Sequence, residues 1–415
     1  MTIVEQVEAS HGTCVVVGGG PAGMIVSLLL ARAGVAVTVL EKHEDFLRDF
    51  RGDTVHASTL SLLDELGLGD AFAALPARLI ERIGVDLDAG HFDVADLRRL
   101  PGAHRHIALV PQWDFLELVA GACRAETGHQ LIMGAEVIGV LGSPAEVRGV
   151  RYRHRGIVQT LPADLVIACD GRTSTVRDAV GRRPRTFGVP IDVLWFRLPR
   201  RPGDPQGGLG RLTARLMIVL IDRGDYFQIG YLIAKGSDAE IRSAGIDAFR
   251  ARLADALPWL ADRTDDLASM DDVKLLSVQL SRLRRWWSPG LLFIGDAAHA
   301  MSPVGGVGIN LAVQDAVATA RLVGPRLAAG RLGPWQLIRV QLRRWWPTAL
   351  TQFAQRLAHR FLVTIGPLGG ATAGDAVPPI LRLLQRFPRL QGVPALAVAI
   401  GPRPEHAPIW AHRPV

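Results

Sequence analysis

The apolar positions along the chain keep two rhythms. Residues 13–17 (TCVVV) and 36–40 (AVTVL) are short unbroken runs rich in β-branched side chains, the pattern of strands buried on both faces. Between them, Ala22 to Ala33 repeats its apolar residues at helical spacing. Together they predict a βαβ unit of about 30 residues, with parallel strands and a right-handed crossover. Helical patterns follow at 57–66 and 113–126, and strand-like runs at 83–88, 107–110, 131–141 and 164–169. From 184 to 234 the texture changes. Pro and Gly punctuate short alternating runs at 191–198, 214–221 and 226–233, which predict an antiparallel sheet. A helix is expected over 238–257, a buried strand at 291–294 (LLFI), a helix over 308–329, and a mostly helical tail from 331. No repeat of solenoid period is present.

The order is thus α/β, then β-rich, then α/β again. It predicts a discontinuous nucleotide-type domain (12–75, 102–182 and 289–330) interrupted by an inserted antiparallel β-sheet domain (76–101 and 183–288). A helical C-terminal region (331–415) follows.

Composition narrows the classes. Of 415 residues, 48% are hydrophobic and 21% charged, enough apolar side chain to exclude a disordered chain. The 44 glycines have no fixed period, which excludes a collagen-like one. Three scattered cysteines, Cys14, Cys123 and Cys169, exclude a disulfide scaffold, and with no leader pattern the expected location is cytoplasmic. The apolar stretch Cys14–Leu40 holds Gly18-Gly19-Gly20-Pro21 and Arg32, so it is not read as a transmembrane segment. The net charge of +7 is nearly all arginine, because only Lys42, Lys235 and Lys274 are lysine. Arginine suits acidic groups, phosphates or anionic membrane, although compositional drift explains it more simply. No nucleic-acid motif is present. Residues 379–395 are amphipathic and basic; they are expected to pack across the first domain, with weak membrane-surface contact or roofing of a hydrophobic substrate as the alternatives.

The first motif with chemistry is Gly18-x-Gly20-x-x-Gly23, directly after a strand and opening a helix. Gly18 permits a sharp turn, Gly20 lets a pyrophosphate approach the backbone, and Gly23 lets helix and strand pack closely. The helix N-terminus offers N–H groups and a positive dipole end. Glu41 closes the second strand, where a carboxylate accepts from ribose hydroxyls and repels a 2′-phosphate. This is a Rossmann-like dinucleotide fingerprint, open to NAD or FAD. The second motif is DLVIACDGRTSTVR (164–177), a strand followed by Asp170-Gly171. The third is LLFIGDAAHAMSPVGGVGIN (291–310), a strand, Gly295-Asp296, Pro303, a glycine-rich turn and Asn310. A strand-end Asp can accept from sugar-alcohol hydroxyls, and a glycine-rich turn entering a helix presents N–H groups to a carbonyl-rich ring.

These three motifs in this order resemble those of the group A FAD-dependent flavoprotein monooxygenases, the aromatic hydroxylases typified by para-hydroxybenzoate hydroxylase. The resemblance spans about residues 12–330. It implies a Rossmann-like FAD-binding domain with an inserted antiparallel substrate-binding sheet. It implies that Gly18, Gly20, Gly23 and Glu41 hold the ADP half of FAD, that Asp170 and Gly171 form the family's DG motif, and that Asp296 binds the ribityl or pyrophosphate region near Pro303. Gly308, Ile309 and Asn310 would meet the flavin pyrimidine edge, and Arg51 and Gln112 sit where the family contacts FAD. The implied activity is NAD(P)H- and O2-dependent hydroxylation or epoxidation of an aromatic or polyketide-like small molecule through a flavin C4a-hydroperoxide. NADH or NADPH would act as a transient reductant.

Weaker candidates remain. Tyr226 and Tyr231, in one expected strand, are the candidates for assisting phenol ionisation, with ordinary burial the simpler role. His299 is expected to serve structurally or beside the flavin. His104 and His106 form His-x-His with no further ligand at useful spacing, so no metal is expected. Another flavin-dependent reaction of the same fold, such as reduction, halogenation or cyclisation, is the alternative. The tryptophan-rich WxWxIP signature of halogenases is absent. A non-catalytic escort protein on a degenerate FAD fold is a more remote one.

Overall fold

The structure, a computed structural model, describes residues 12–47, 54–87, 89–204, 208–212, 217–365 and 377–414. The chain opens with β1 (Thr13–Val17), α1 (Pro21–Arg32) and β2 (Ala36–Leu40). The helices α2 (Ala57–Glu65) and α3 (Gln112–Arg124) lead to β3 (His129–Ile132) and, after an antiparallel meander over 135–162, to β4 (Leu165–Ala168). The inserted sheet contains β5 (Ile191–Pro199), β6 (Met217–Asp222) and β7 (Tyr226–Ala234). The chain returns through β8 (Leu291–Phe293) to α4 (Gly308–Ala328), α5 (Pro334–Ile365) and α6 (Pro379–Arg386).

The first sheet runs β8-β4-β1-β2-β3, all parallel, with the short strand Trp287–Ser288 antiparallel on its β8 edge. One face is covered by α1, α3 and α4 around Val16, Ile25, Val39 and Val317. The other is covered by the meander around Val15, Val150 and Trp286. Apolar cover on both faces is why these strands read as unbroken apolar runs. The mixed second sheet joins Lys274–Leu276, β5, β7, β6, Gly208–Leu212 and the hairpin Arg82–Leu87/Gly90–Asp96. Its strands alternate. Phe196, Ile229 and Tyr231 pack beneath the helix Gly245–Ala256, while Val193 and Leu232 face the other way, toward Val304 and Leu362.

Two segments differ from the sequence reading. The helix expected over 238–257 is two helices, Asp238–Ser243 and Gly245–Ala256, because Gly245 takes φ +83° and breaks the ladder. The strand-like run 131–141 divides at Gly134 (φ +66°), and a hairpin not foreseen, Glu146–His154/Ile157–Pro162, turns on Arg155 and Gly156, both at positive φ.

The C-terminal region is fastened by buried charge. Arg344 of α5 and Asp315 of α4 are both fully buried, with Nε to Oδ1 at 3.0 Å. The Arg344 Nη2 donates to Gln314 Oε1 at 3.0 Å and its Nη1 lies 3.5 Å from buried Glu405. Asp315 also accepts from His299 Nε2 at 2.5 Å. Burial alone would push the Asp315 carboxyl up, but the adjacent His299 and Arg344 hold it below the usual range. Removing one member strands the others without water, at a cost of about 3–5 kcal/mol.

Two neutral histidines complete the seam. His56 at the start of α2 shares its Nδ1 with the Val398 carbonyl at 2.8 Å, and His359 of α5 shares its Nε2 with Ser302 Oγ at 2.8 Å. Burial holds both below the ordinary imidazole value of 6.5. A lowered histidine favours the neutral form in the fold, so its stabilisation is present above 6.5 and is lost as pH falls. Lowering the pH from 7.5 to 5 is therefore expected to destabilise the protein and to raise amide exchange first in the helix Gly392–Ala399, which carries the carbonyl bonded by His56. Hydrogen exchange at the two pH values, corrected for intrinsic rates, checks this.

Candidate functional site

The parallel register decides where the motifs lie. Val17, the last residue of β1, stands opposite Leu40 of β2 and Ala168 of β4, and Ala168 stands opposite Phe293 of β8. Four strands therefore end level, at about 4.8 Å spacing. Ladder bonds persist one residue past the tips, from Gly18 N to Leu40 O, Cys169 N to Val17 O and Ile294 N to Ala168 O. The three motifs and Glu41 follow directly from these tips and share one rim. In open α/β sheets this carboxyl end is where ligands bind.

At the first tip Gly18 takes φ +101°, and a Cβ there would lie 2.6 Å from the Cys169 carbonyl oxygen. Gly23 sits so close to the same turn that a Cβ would fall 1.9 Å from Gly18 O. At Gly20 a Cβ would meet nothing within 4 Å among the described residues. Two glycines are thus demanded by the protein's own backbone, and the third is uncrowded by the described residues. α1 begins with Pro21 and carries no side-chain cap, so its first-turn N–H groups lack a capping side chain. Glu41 is buried and accepts from Gly19 N at 2.8 Å and from His43 N at 3.1 Å. Gly19, not singled out in the sequence, earns its place here, because a Cβ on it would press against Glu41 at 3.2 Å.

At the β4 tip, Asp170 Oδ2 accepts from Val176 N at 3.0 Å, while Oδ1 is buried with no hydrogen-bond partner among the described residues. Burial pushes this carboxyl up, against the pull of Ser174, the Val176 amide and Arg177. Gly171 follows at φ +80°. Arg177, also buried, donates to the carbonyls of Ala297 (3.2 Å) and Arg172 (2.5 Å) and so ties the β4 loop to the β8 loop. At the β8 tip Gly295 N donates to Asp315 Oδ2 at 3.1 Å, and Asp296 lies 3.5 Å from Arg172 Nε. Pro303 O accepts from Gly306 N at 2.9 Å, closing a turn whose third residue, Gly305, has φ +81°.

That turn delivers Gly308, Ile309 and Asn310 as the first turn of α4, again with no side-chain cap. The Asn310 side chain faces inward, accepting from Ser58 Oγ at 2.7 Å and Thr59 Oγ1 at 2.9 Å. Two uncapped helix starts, an open cradle at Gly20 and an unpartnered buried acceptor on Asp170 fit a dinucleotide carrying phosphates, hydroxyls and a carbonyl-rich ring.

Beside the rim lies the second sheet's inner face. Val304, next to Pro303, packs in one cluster with Ile191, Val193, Trp195, Met217 and Leu232. The Trp195 ring lies over Gly230, where a Cβ would come within 3.1 Å of it, and its Nε1 is buried without an acceptor among the described residues. Tyr226 shares the face of Gly230 and Leu232 and lies under Arg197 at 5.0 Å. Tyr231 is on the opposite, helix-covered face against Phe249, and burial pushes its phenol up. Gln112 opens α3 as its first residue. Arg51 lies outside the described residues.

His104 bonds Asp64 at 2.6 Å and meets His106 edge-on. Among the described residues no cluster of three His, Cys, Asp or Glu gathers. Burial raises the thiol of Cys14, and that of Cys123 up to about 12, so both stay protonated at neutral pH.

Comparison with known proteins gives concordant likenesses. The model of the FAD binding domain matches residues 12–329. A 6-methylpretetramide 4-monooxygenase of Streptomyces rimosus is 31% identical over 390 residues, covering 93% of this chain and 92% of the relative. A 12-dehydrotetracycline 5-monooxygenase/anhydrotetracycline 6-monooxygenase of Streptomyces rimosus subsp. rimosus is 29% identical over 334 residues; the match covers 76% of this chain and 63% of that longer protein. Among solved structures, the anhydrotetracycline hydroxylase OxyS of Streptomyces rimosus superposes with a TM-score of 0.72 at 23% identity, covering 94% of this chain and 76% of the other. A Diels-Alderase of pyrroindomycin biosynthesis gives 0.71 at 21% identity, with 94% and 80% covered.

The glycines separate cofactor contact from folding. Gly20 has φ −74°, which alanine adopts without strain. Gly20→Ala is expected to leave the melting of the cofactor-free protein within about 0.5 kcal/mol of the parent and to weaken FAD binding about tenfold or more. Gly23→Ala is expected to lose about 1–3 kcal/mol of stability outright. Thermal melts and FAD titrations of both variants check this.

Proposed function

The chain belongs to the FAD-binding family of flavoprotein monooxygenases, and from that premise we propose that it oxygenates a flat, largely apolar aromatic or polyketide-like molecule, with NADH or NADPH as reductant. The observation that supports this most is the level ending of β1, β2, β4 and β8 beside an apolar sheet face. One rim then holds every motif for the dinucleotide, and the inserted sheet supplies the wall for the molecule to be oxidised.

FAD supplies the redox chemistry when bound, taking hydride from the nicotinamide and turning O2 into an electrophilic oxygen donor. The chain's own residues bind, orient and exclude water. First-turn N–H groups of α1 would hold the pyrophosphate, and Glu41 the adenosine ribose. Asp170 Oδ1 and Asp296 would accept from hydroxyls of the linking chain, and the Gly308–Asn310 turn would meet the pyrimidine edge. Val193, Trp195, Met217 and Leu232 form the wall, whose low polarity favours an apolar ring and keeps bulk water off the reacting atoms. The Trp195 N–H is a donor in that wall without an acceptor among the described residues, suited to one carbonyl or phenolate oxygen of the bound molecule. Of the two tyrosines, Tyr226 lies on this face and is the residue for any help with phenol ionisation.

Cyclisation without net oxidation is the second reading, favoured by the likeness to the Diels-Alderase. The two part on one experiment. Given a polycyclic phenol, NAD(P)H and isotopically labelled O2, the oxygenase reading expects one labelled oxygen atom in the product and reductant oxidation that accelerates with substrate. An unlabelled isomer of the starting material would favour cyclisation. With an accepted substrate, Trp195→Phe keeps the ring and removes the donor; KM is expected to rise roughly two- to tenfold, the worth of one hydrogen bond, with FAD content unchanged.

A further inference from the structure

We propose that α5 is a membrane-docking helix that seats the enzyme on the surface of an anionic lipid bilayer. Large apolar side chains left exposed are unevenly spread. Fourteen of the twenty among the described residues fall between Trp335 and Leu396, in α5, α6 and the segment after them. On α5 they form a stripe: Leu342, Trp346, Leu350, Phe353, Leu357 and Phe361. The steps are four, four, three, four and four, which keeps all six on one side of a straight helix. The opposite side holds Val340, Arg344, Thr348, Gln355 and His359, all buried against the body. The stripe is thus the outward face of a helix whose inward face is already used. A contiguous apolar patch of this kind marks an interaction surface.

Charge identifies the occupant. From 331 to 404 the sequence has ten arginines and a single acidic residue, Asp375. Arg343 and Arg344 are engaged by Glu405. Arg339 is exposed within the stripe, and Arg356, whose guanidinium lies over the Phe187 ring at 5.5 Å, is exposed beside it. A second copy of this face would set arginine against arginine, with none of the acidic flanking residues that pair in helical zippers. The spacing also exceeds the alternating three-and-four step of a two-stranded coiled coil. A bilayer of anionic lipid matches both features of this face, with negative headgroups for guanidinium groups and an acyl boundary for Leu, Phe and Trp. Among the described residues no helix is long and apolar enough to cross a membrane, so the contact lies along the surface. A flat apolar substrate partitions into the same layer, which would bring enzyme and substrate together.

The test is co-sedimentation of the full-length protein with phosphatidylglycerol vesicles and with phosphatidylcholine vesicles. The double variant Phe353→Glu/Leu357→Glu runs alongside; both positions are about 60% exposed, at 62% and 59%, so folding is not at stake. Bound FAD and the melting temperature are recorded for each, which keeps this result separate from that of the oxygenase reading. Binding to phosphatidylglycerol at least about tenfold tighter than to phosphatidylcholine, weakened by salt and about tenfold weaker in the double variant, is expected. Vesicle binding that is absent, or equal in the parent and the variant, overturns the proposal. So does a dimer in solution that the variant converts to monomer, since a second copy would then own the face.

Discussion

Everything in this molecule depends on four parallel strands ending in register. Because β1, β2, β4 and β8 stop level, three loops separated by more than a hundred residues each meet on one rim. A slip of one residue in any strand would turn its tip toward the other face of the sheet and carry a glycine turn or an aspartate away from the others. The register is protected by apolar cover on both faces. Val15 and Val16 of β1 enter different cores, so a shifted strand would still be apolar but would pair with the wrong loops. The close contacts at Gly18 and Gly23 select the correct pairing at the tip itself.

The rim is then held from behind. Asp315 is the hub: one carboxylate accepts from the Gly295 amide, from His299 and from Arg344. Gly295 precedes Asp296, and Arg344 belongs to α5. The loop that would bind the cofactor and the helix that bears the exposed stripe therefore share one buried ion pair. Such a pair adds little net stability over an apolar equivalent, but it is costly to break and highly directional. It fixes geometry where geometry matters, and it lets α5 keep its apolar residues for the outside.

What the sequence made legible follows from the range of the forces involved. The buried strands and the βαβ unit were readable because apolar runs and glycine turns are local. So were the three motifs, since each is a strand end with its loop. The hairpin over Glu146–Pro162 was missed although its alternation (VRGVRYRH) was present, because its turn uses a non-glycine at positive φ, Arg155. The single helix expected over 238–257 failed at Gly245, where one residue outweighed the periodicity. The division of Tyr226 and Tyr231 between opposite faces follows from their odd spacing and was there to be read. The Asp315–Arg344–Glu405 cluster had no local signal, since it joins residues that only the tertiary fold brings together. The part played by Gly19 was hidden for the same reason, because its constraint comes from Glu41 across the rim.

A flavin cradle at the rim is tested most directly by the visible absorption spectrum of the purified protein, followed by quantification of the flavin released on denaturation. One FAD per chain, bound as purified or taken up to that stoichiometry on titration, is the result predicted. A folded, colourless protein that takes up no FAD at saturating concentration would contradict it.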